Sequence, residues 1–529
     1  MKGFDNKKNS EKKIIKNTRN NNFKAQIIRK AFNFHAKGDI AKAIEYYKYF
    51  INQGFSDIKV FSNFGVLLQM LGKLKEAEYF IRKAIELNPD YAIAHSNLGG
   101  ILKDLGKLKD AEFATRKAIE LNPNYPDAYS NLGIILKDLG KLKDAEYFIR
   151  KAIELNPKYA IAHSNLGTIL KDLGKLKEAE YFIRKAIELN PDFASAYFSL
   201  STLKYSNECE KWKNTLFSKE FLNNKKVNDQ IDIYFARANI LHNDKKYQES
   251  SRYLQLGNNL KFDLKKSQTE EIIYKSNMLL IESNKEENNQ KKAHQYPQSI
   301  FIVGMPRSGS TLVESILSIN REVYDLGEIN ILEESFLEQK KIYQELSLTD
   351  IYLKKIKKYI NNFNITTNKW LYNYQYAGII SKKITNAKII HCFRNPLDNI
   401  LSIYRANFAK GNEYSSSLTD CARIYLDHEE TMGKYKNRFR SKIYDLNYDL
   451  LVSDPNKEIK TLISWLNWQW NDSYLSPHLN TRSVLTASSV QVRSPINSKS
   501  IGGWKKYKDM LKPSMEILTQ NDKYQELLS

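Results

Sequence analysis

Cysteine is scarce in this chain: three residues in 529, Cys209, Cys392 and Cys421, with no C-x-x-C pair. So few thiols, so far apart, exclude a disulfide framework and a structural zinc site, and they fit a reducing compartment. No apolar run approaches the ~20 residues of a membrane-spanning helix. The first thirty residues carry ten Lys or Arg against two acids and lack the apolar core of a secretory leader. A cytoplasmic protein with no membrane span is expected. Acidic residues are also in deficit, 60 against 82 Lys and Arg, for a net charge of +22. That excess favours polyanionic partners without choosing among them. No nucleic-acid motif accompanies it, so nucleic acid is not expected as a partner, and a Lys-rich solvated surface accounts for most of the charge.

What is present divides along the chain. A hydrophobic content of 42% and a charged content of 27% suit a globular protein long enough for two or more domains. Residues 1–22 are polar and Asn/Lys-rich and are expected to be a disordered basic tail. Over residues 23–205 a repeat dominates: Gly38, Gly72, Gly106, Gly140 and Gly174 recur every 34 residues, as do Pro89, Pro123, Pro157 and Pro191. Leu98, Ile101, Leu102 and Leu105 make one helical stripe that Gly106 ends. Leu142, Ala145, Ile149 and Ala152 make a second, which runs out at Asn156-Pro157. Small residues (Gly99, Ala111, Ala118) stand where the two helices must approach closely. This pattern resembles the tetratricopeptide repeat, which implies an all-α superhelix of stacked helix pairs.

By that resemblance the first helix of each pair lines a concave groove. Asn63, Asn97, Asn131 and Asn165 hold one position in it, and Lys103, Lys137 and Lys171 another. Such asparagines could grip the backbone of an extended peptide and the lysines its acidic side chains; an ordinary solvated helix face has the same composition. Beyond Ser201 the period falters. Residues 206–297 read as a degenerate repeat of two helices (Ala236 and Ala238 in the first; Tyr247, Tyr253 and Leu254 in the second) followed by a charged connector.

From residue 298 short apolar strands alternate with helical patterns, which argues for an α/β domain with a central parallel sheet. Strands are expected at Ile300–Val303, Lys388–Phe393 and Lys442–Leu446, and a helix from Pro455. Between the first strand and its helix lies Gly304-Met305-Pro306-Arg307-Ser308-Gly309-Ser310-Thr311. A Gly-bearing turn at a helix start presents free N–H groups and the positive end of the helix dipole, a seat for phosphate or sulfate, although a plain turn has the same outline. The spacing is P-loop-like, but Ser310 stands where a nucleotide-hydrolysing loop has Lys, which argues against ATP or GTP hydrolysis.

The string Pro306 to Thr311 resembles the 5′-phosphosulfate loop of sulfotransferases that use 3′-phosphoadenosine 5′-phosphosulfate. Further motifs agree in order. Cys392-Phe393-Arg394-Asn395-Pro396 with Ser402 resembles the 3′-phosphate motif, implying that Arg394 and Ser402 hold that phosphate; the planar Arg fork suits the task. Lys369, ahead of that strand, lies where the family has a Lys near the transferring group, implying that it shares developing charge with Arg307. Residues 364–376 contain no His, so a base must come from elsewhere. Gly327-Glu328 resembles the Gly-Glu of protein-tyrosine sulfotransferases and of relatives fused to tetratricopeptide repeats, which implies Glu328 as the base. Read by itself, Glu328 is one carboxylate among Glu322, Asp325, Glu333 and Glu334. The stretch from Ser488 to Lys505 resembles the family's late loop, matched to within a residue or two: Ser489 is expected at the sulfuryl group, Arg493 and Lys499 at phosphate, and Trp504 as an anchor. Pro306, Arg307, Ser308, Gly309, Ser310 and Thr311 complete the implied donor site, with no metal. The resemblance implies sulfuryl transfer to a hydroxyl, with a peptide tyrosine brought by the repeat groove as first choice. A carbohydrate or small-molecule hydroxyl, or a non-catalytic scaffold with a degenerate donor fold, are the alternatives.

Overall fold

The computed structural model describes residues 21–203, 211–285, 296–341, 346–357, 359, 364–408, 411–480, 482, 484, 486 and 488–528. The basic tail expected over 1–22 therefore lies outside the described residues except for its last two, which are helical. Cys209 also lies outside them. Two compact units are present, one up to Ile169 and one from Leu170 onward.

The first unit is built from helix pairs whose limits repeat with the sequence. Ala92–Asp104 is followed by Leu108–Leu121, and Pro126–Asp138 by Leu142–Leu155. Gly106 stops the first of these at φ +76°, where a β-carbon would be strained, and the Lys107 N–H turns back to the Leu102 carbonyl at 2.8 Å. Both expected stripes face inward: Leu98, Ile101, Leu102, Leu142, Ala145, Ile149 and Ala152 are all buried. At Gly99 the paired helices come so close that a β-carbon would lie 1.9 Å from Thr115 Oγ1. Asn97, Asn131 and Asn165 each donate through Nδ2 to the serine of the preceding repeat, Ser62, Ser96 and Ser130, at 3.1, 3.0 and 3.2 Å.

The second unit begins with the last repeat helices, Leu176–Leu189 and Ala194–Ser201. The degenerate repeat forms Val227–Asn243 and Tyr247–Leu264, with Ala236, Ala238 and Leu254 buried as expected. Here Lys245 takes the left-handed turn (φ 61°) that glycine takes in the regular repeats, and Asn239 repeats the ladder bond by donating to Ser201 at 3.1 Å. Part of the stretch read as connector is a 16-residue helix, Thr269–Asn284. It belongs to the packed layers of the α/β domain: Ser276 donates to Asp427 at 2.7 Å and Gln375 to the Ile272 carbonyl at 3.0 Å.

Among the described residues the sheet holds five parallel strands in the order β2-β3-β1-β4-β5. They are β1 (Gln298–Gly304), β2 (Val323–Asp325), β3 (Ile365–Asn368), β4 (Ala387–Phe393) and β5 (Ile443–Asn447). Alternate residues of β1 and β4 feed two separate cores: Phe301, Val303 and Ile389 on one face, Ile300, Ile302, Ile390 and Cys392 on the other. Burial on both faces explains their unbroken apolar runs. Because the chain leaves β3 and crosses β1 to reach β4, the carboxyl end of β1 lies at the switch point where such sheets bind ligands.

Neighbouring glycines should respond oppositely to the same change. Gly99→Ala should destabilise by about 1–3 kcal/mol through overpacking against Thr115. Gly100→Ala, whose β-carbon would meet only Gln69 Nε2 at 3.6 Å, should stabilise by about 0.5–1 kcal/mol as an ordinary helix Gly→Ala change. Chemical denaturation of the two variants checks the pair; shifts of the same sign would contradict this packing.

Candidate functional site

The loop after β1 has the conformation its glycines allow. Gly304 (φ +146°) lies against the Cys392 carbonyl, which a β-carbon would approach to 2.2 Å. Gly309 (φ +93°) is the N-cap of the helix Ser310–Leu317 and lies under the Tyr448 ring; no side chain caps that helix start. Pro306, Ser308, Ser310 and Thr311 are buried, and Ser308 Oγ has no hydrogen-bond partner. Asn399 donates to the Pro306 carbonyl at 2.9 Å, tying the loop to the helix Pro396–Tyr404 behind β4.

Arg307 takes a left-handed backbone (φ 67°), an arrangement that costs about 1–3 kcal/mol in a residue with a β-carbon and is found at functional sites. Its guanidinium is held by neutral oxygens: Nε donates to Ser402 at 3.1 Å, one terminal nitrogen to Ser488 at 2.5 Å and the other to Gln491 at 2.7 Å. Burial, and the nearby charges of Arg394 and Arg405, pull its pKa down to about 10, still cationic at neutral pH. Arg394 is buried, lies over the Tyr448 ring and donates to the Ser500 carbonyl at 3.1 Å. Its carboxylate neighbours, Asp398 at 3.9 Å and Asp449 at 3.8 Å, stand off at ion-pair distance, and its Nε is unpartnered. Arg405 meets the His242 imidazole at 3.1 Å, and burial above all, with Arg405 and Lys506 adding to it, holds that histidine neutral with a pKa of about 3.

The late loop is fastened over these groups by Asp398, which accepts from the Gly502 N–H at 2.7 Å and the Trp504 N–H at 2.9 Å. Trp504 is half-buried against the core, as an anchor should be. Lys499 is exposed. Ser489 is buried, and it is the adjacent Ser488 that meets Arg307. Arg493 is not brought to Arg394 and Ser402: it donates to the backbone carbonyls of Asn480 and Arg482, each at 2.5 Å, and of Asp172 at 3.3 Å.

A second cluster forms at the ends of β2 and β3. The Leu326 N–H bonds to Thr367 and the Lys369 N–H to Gly327, both at 2.9 Å, which brings Glu328 beside Lys369. The Lys369 ammonium, fully buried, donates to Glu328 Oε1 at 2.5 Å, while the Glu328 side chain is 44% exposed. Glu314, on the loop helix and only 2% exposed, lies 3.7 Å from the same ammonium. Burial alone would lower the Lys369 pKa, but Glu314 and Glu328 outweigh it and hold it above the ordinary lysine value. Arg482 closes the cluster, donating to Glu314 at 2.8 Å and pairing with Asp325. Glu314, Arg482, Ser488 and Gln491 escape sequence reasoning. The one available signal was a lone carboxylate inside the apolar stretch Leu312-Val313-Glu314-Ser315-Ile316.

These residues suit an anionic group: three guanidiniums near one another with few carboxylates in contact, an open helix start and an unpartnered buried hydroxyl. Among the described residues no cluster of three or more His, Cys, Asp or Glu is placed to share a metal ion, and no helix is long and apolar enough to cross a membrane.

Residues 297–350 and 331–472 match the model of the sulfotransferase family. Tetratricopeptide-repeat models match 58–91, 101–140, 126–159 and 160–193. An uncharacterized protein of Aquifex aeolicus is 31% identical over 255 residues, covering 44% of this chain and 34% of that protein. Protein-tyrosine sulfotransferase 1 of Danio rerio is 26% identical over 231 residues, covering 39% of this chain and 65% of the relative. The chain thus spans less than two thirds of the length of either. Among solved structures, a thermophilic repeat protein of Thermus thermophilus aligns with 34% of this chain and 97% of its own at 18% identity, with a TM-score of 0.31. By these matches the chain carries tetratricopeptide repeats followed by a domain, over residues 297–472, that fits the sulfotransferase-family model.

Proposed function

We propose that the protein moves a sulfuryl group from 3′-phosphoadenosine 5′-phosphosulfate to an acceptor hydroxyl, without a metal. The observation that carries this reading is the bond from Arg307 to Ser402: two motifs 95 positions apart converge on one cationic centre at the carboxyl end of β1. The donor supplies an already activated sulfur. The loop N–H groups and Arg307 bind its 5′ side, Arg394 and Ser402 its 3′-phosphate, and Lys499 is free to reach from the exposed late loop. A sulfuryl group carries less negative charge than a terminal phosphoryl group, so arginine and lysine can stabilise its transfer by position and charge. Glu328, exposed beside Lys369, is the general base for the attacking hydroxyl.

The proposed acceptor is a peptide tyrosine, in keeping with the name of the Danio rerio relative and with repeats that present protein-binding surfaces. The groove asparagines give it less support than their spacing promised, because Asn97, Asn131 and Asn165 each commit an N–H to a neighbouring repeat. Lys103 and Lys137 likewise pair with Asp104 and Asp138, at 3.3 and 3.4 Å. That observation keeps a carbohydrate or small-molecule hydroxyl as the second reading. The cysteine usage is the basis for placing the activity in the cytoplasm.

A native-state ligand raises the melting temperature, so 3′-phosphoadenosine 5′-phosphate should shift it more than ATP with magnesium does. The reverse order would favour a kinase, and no shift from either a scaffold. Labelled sulfate transferred into a lysate should appear on tyrosine; label on glycans or metabolites alone would replace the peptide acceptor. Glu328→Gln should abolish turnover and retain nucleotide binding by calorimetry, and undiminished turnover would remove Glu328 as the base.

A further inference from the structure

The base proposed above starts out occupied. Lys369 donates to Glu328 Oε1 at 2.5 Å, so an ammonium engages that oxygen before an acceptor arrives. In the transfer a bond forms between the acceptor oxygen and sulfur, and the bond from sulfur to the bridging phosphate oxygen breaks with its electron pair. The acceptor's proton passes to Glu328. Once protonated, Glu328 no longer balances the charge of the Lys369 ammonium, which is fully buried.

One destination is built in. Glu314 is 2% exposed, and its Oε1 is buried without a hydrogen-bond partner. Its Oε2 lies 3.7 Å from the Lys369 ammonium, so a movement of about 1 Å would bring the pair to hydrogen-bond distance. Arg482 fixes Glu314 by donating to Oε2 at 2.8 Å and is itself paired with Asp325. Oε2 thus faces both Arg482 and the ammonium, while Oε1 stays open. An unpaired buried carboxylate oxygen is expensive, and such a group calls for a role.

We propose that Glu314 is a positioning residue for the transfer, taking up the Lys369 ammonium from Glu328 as that carboxylate receives the acceptor's proton. The inference rests on the reading of Glu328 as base. It assigns Lys369 two stations, one on each carboxylate, and gives the buried one to a residue that touches neither donor nor acceptor. The charged and titratable groups that bear on Lys369 are Glu314 from the loop helix, Glu328 after β2 and the Cys392 thiol of β4. Removing the Glu314 charge takes away an interaction that favours the protonated amine, so Lys369 should lose its proton at lower pH.

Glu314→Gln keeps the shape of the side chain and removes its charge. It should lower kcat by about 10- to 100-fold, as loss of preorganised electrostatics does, with less than about a threefold change in affinity for 3′-phosphoadenosine 5′-phosphate. The alkaline limb of the rate profile should move down by about one pH unit. A second readout needs no donor: the pH midpoint of the buried Lys369 side chain, followed by NMR of protein isotopically labelled at lysine, should fall in the variant. Glu314→Asp, a milder change, should give an intermediate kcat and midpoint, and it carries the test should the glutamine variant fail to fold. Wild-type kcat together with a wild-type Lys369 midpoint in the folded variants would overturn the proposal. If the wild-type protein transfers no sulfate, or Glu328→Gln retains transfer, the base reading falls instead; the Lys369 midpoints still decide whether Glu314 holds the ammonium.

Discussion

A cation held by neutral oxygens organises the α/β domain. Arg307 reaches Ser402, Ser488 and Gln491 and has two further guanidiniums nearby. Like charges gathered in this way repel, and the fold tolerates them because other bonds hold their carriers. Asn399 ties the loop to the helix behind β4, Asp449 accepts from the Asn395 N–H at 2.7 Å, and Asp398 fastens the late loop. A polyanionic ligand would relieve that repulsion, which makes the site electrostatically complementary to its proposed donor before any contact is made.

Only part of this was legible in the sequence. β1 and β4 were, because a strand covered on both faces must be apolar throughout. The short strands β2 and β3 were not: Thr366, Thr367 and Asn368 are buried yet polar, and Tyr324 is exposed, so no hydrophobic run marks them. The loop after β1 was legible because its glycines answer to backbone constraints, the Cys392 carbonyl behind Gly304 and the Tyr448 ring over Gly309. Side chains that travel far were not. Arg493 carries the right charge in a plausible place but spends its hydrogen bonds on the carbonyls of Asn480, Arg482 and Asp172. Ser488 and Ser489 differ by one position, and only a fixed backbone decides which hydroxyl meets Arg307.

The two clusters of the site divide its chemistry. The arginine centre lies after β1 and β4; the Glu328–Lys369 pair lies after β2 and β3. Glu314 and Arg482 link the second cluster to the loop helix and to the chain just ahead of the late loop, so movement of either segment is felt at the ammonium. Three of these four side chains, Lys369, Glu314 and Arg482, are 13% exposed or less. Mutual charges in such surroundings act with little screening.

The ladder of asparagine-to-serine bonds in the repeats has an evolutionary consequence. Every bond joins the same two positions of adjacent units, and the blocks from Asn97 to Pro191 are almost verbatim copies. Loss or duplication of one 34-residue block by recombination between copies would leave the same donor facing the same acceptor at the new junction. The array can therefore lengthen or shorten by whole units across generations without unmaking its internal bonding, and the length of the repeat array can drift while the α/β domain stays intact.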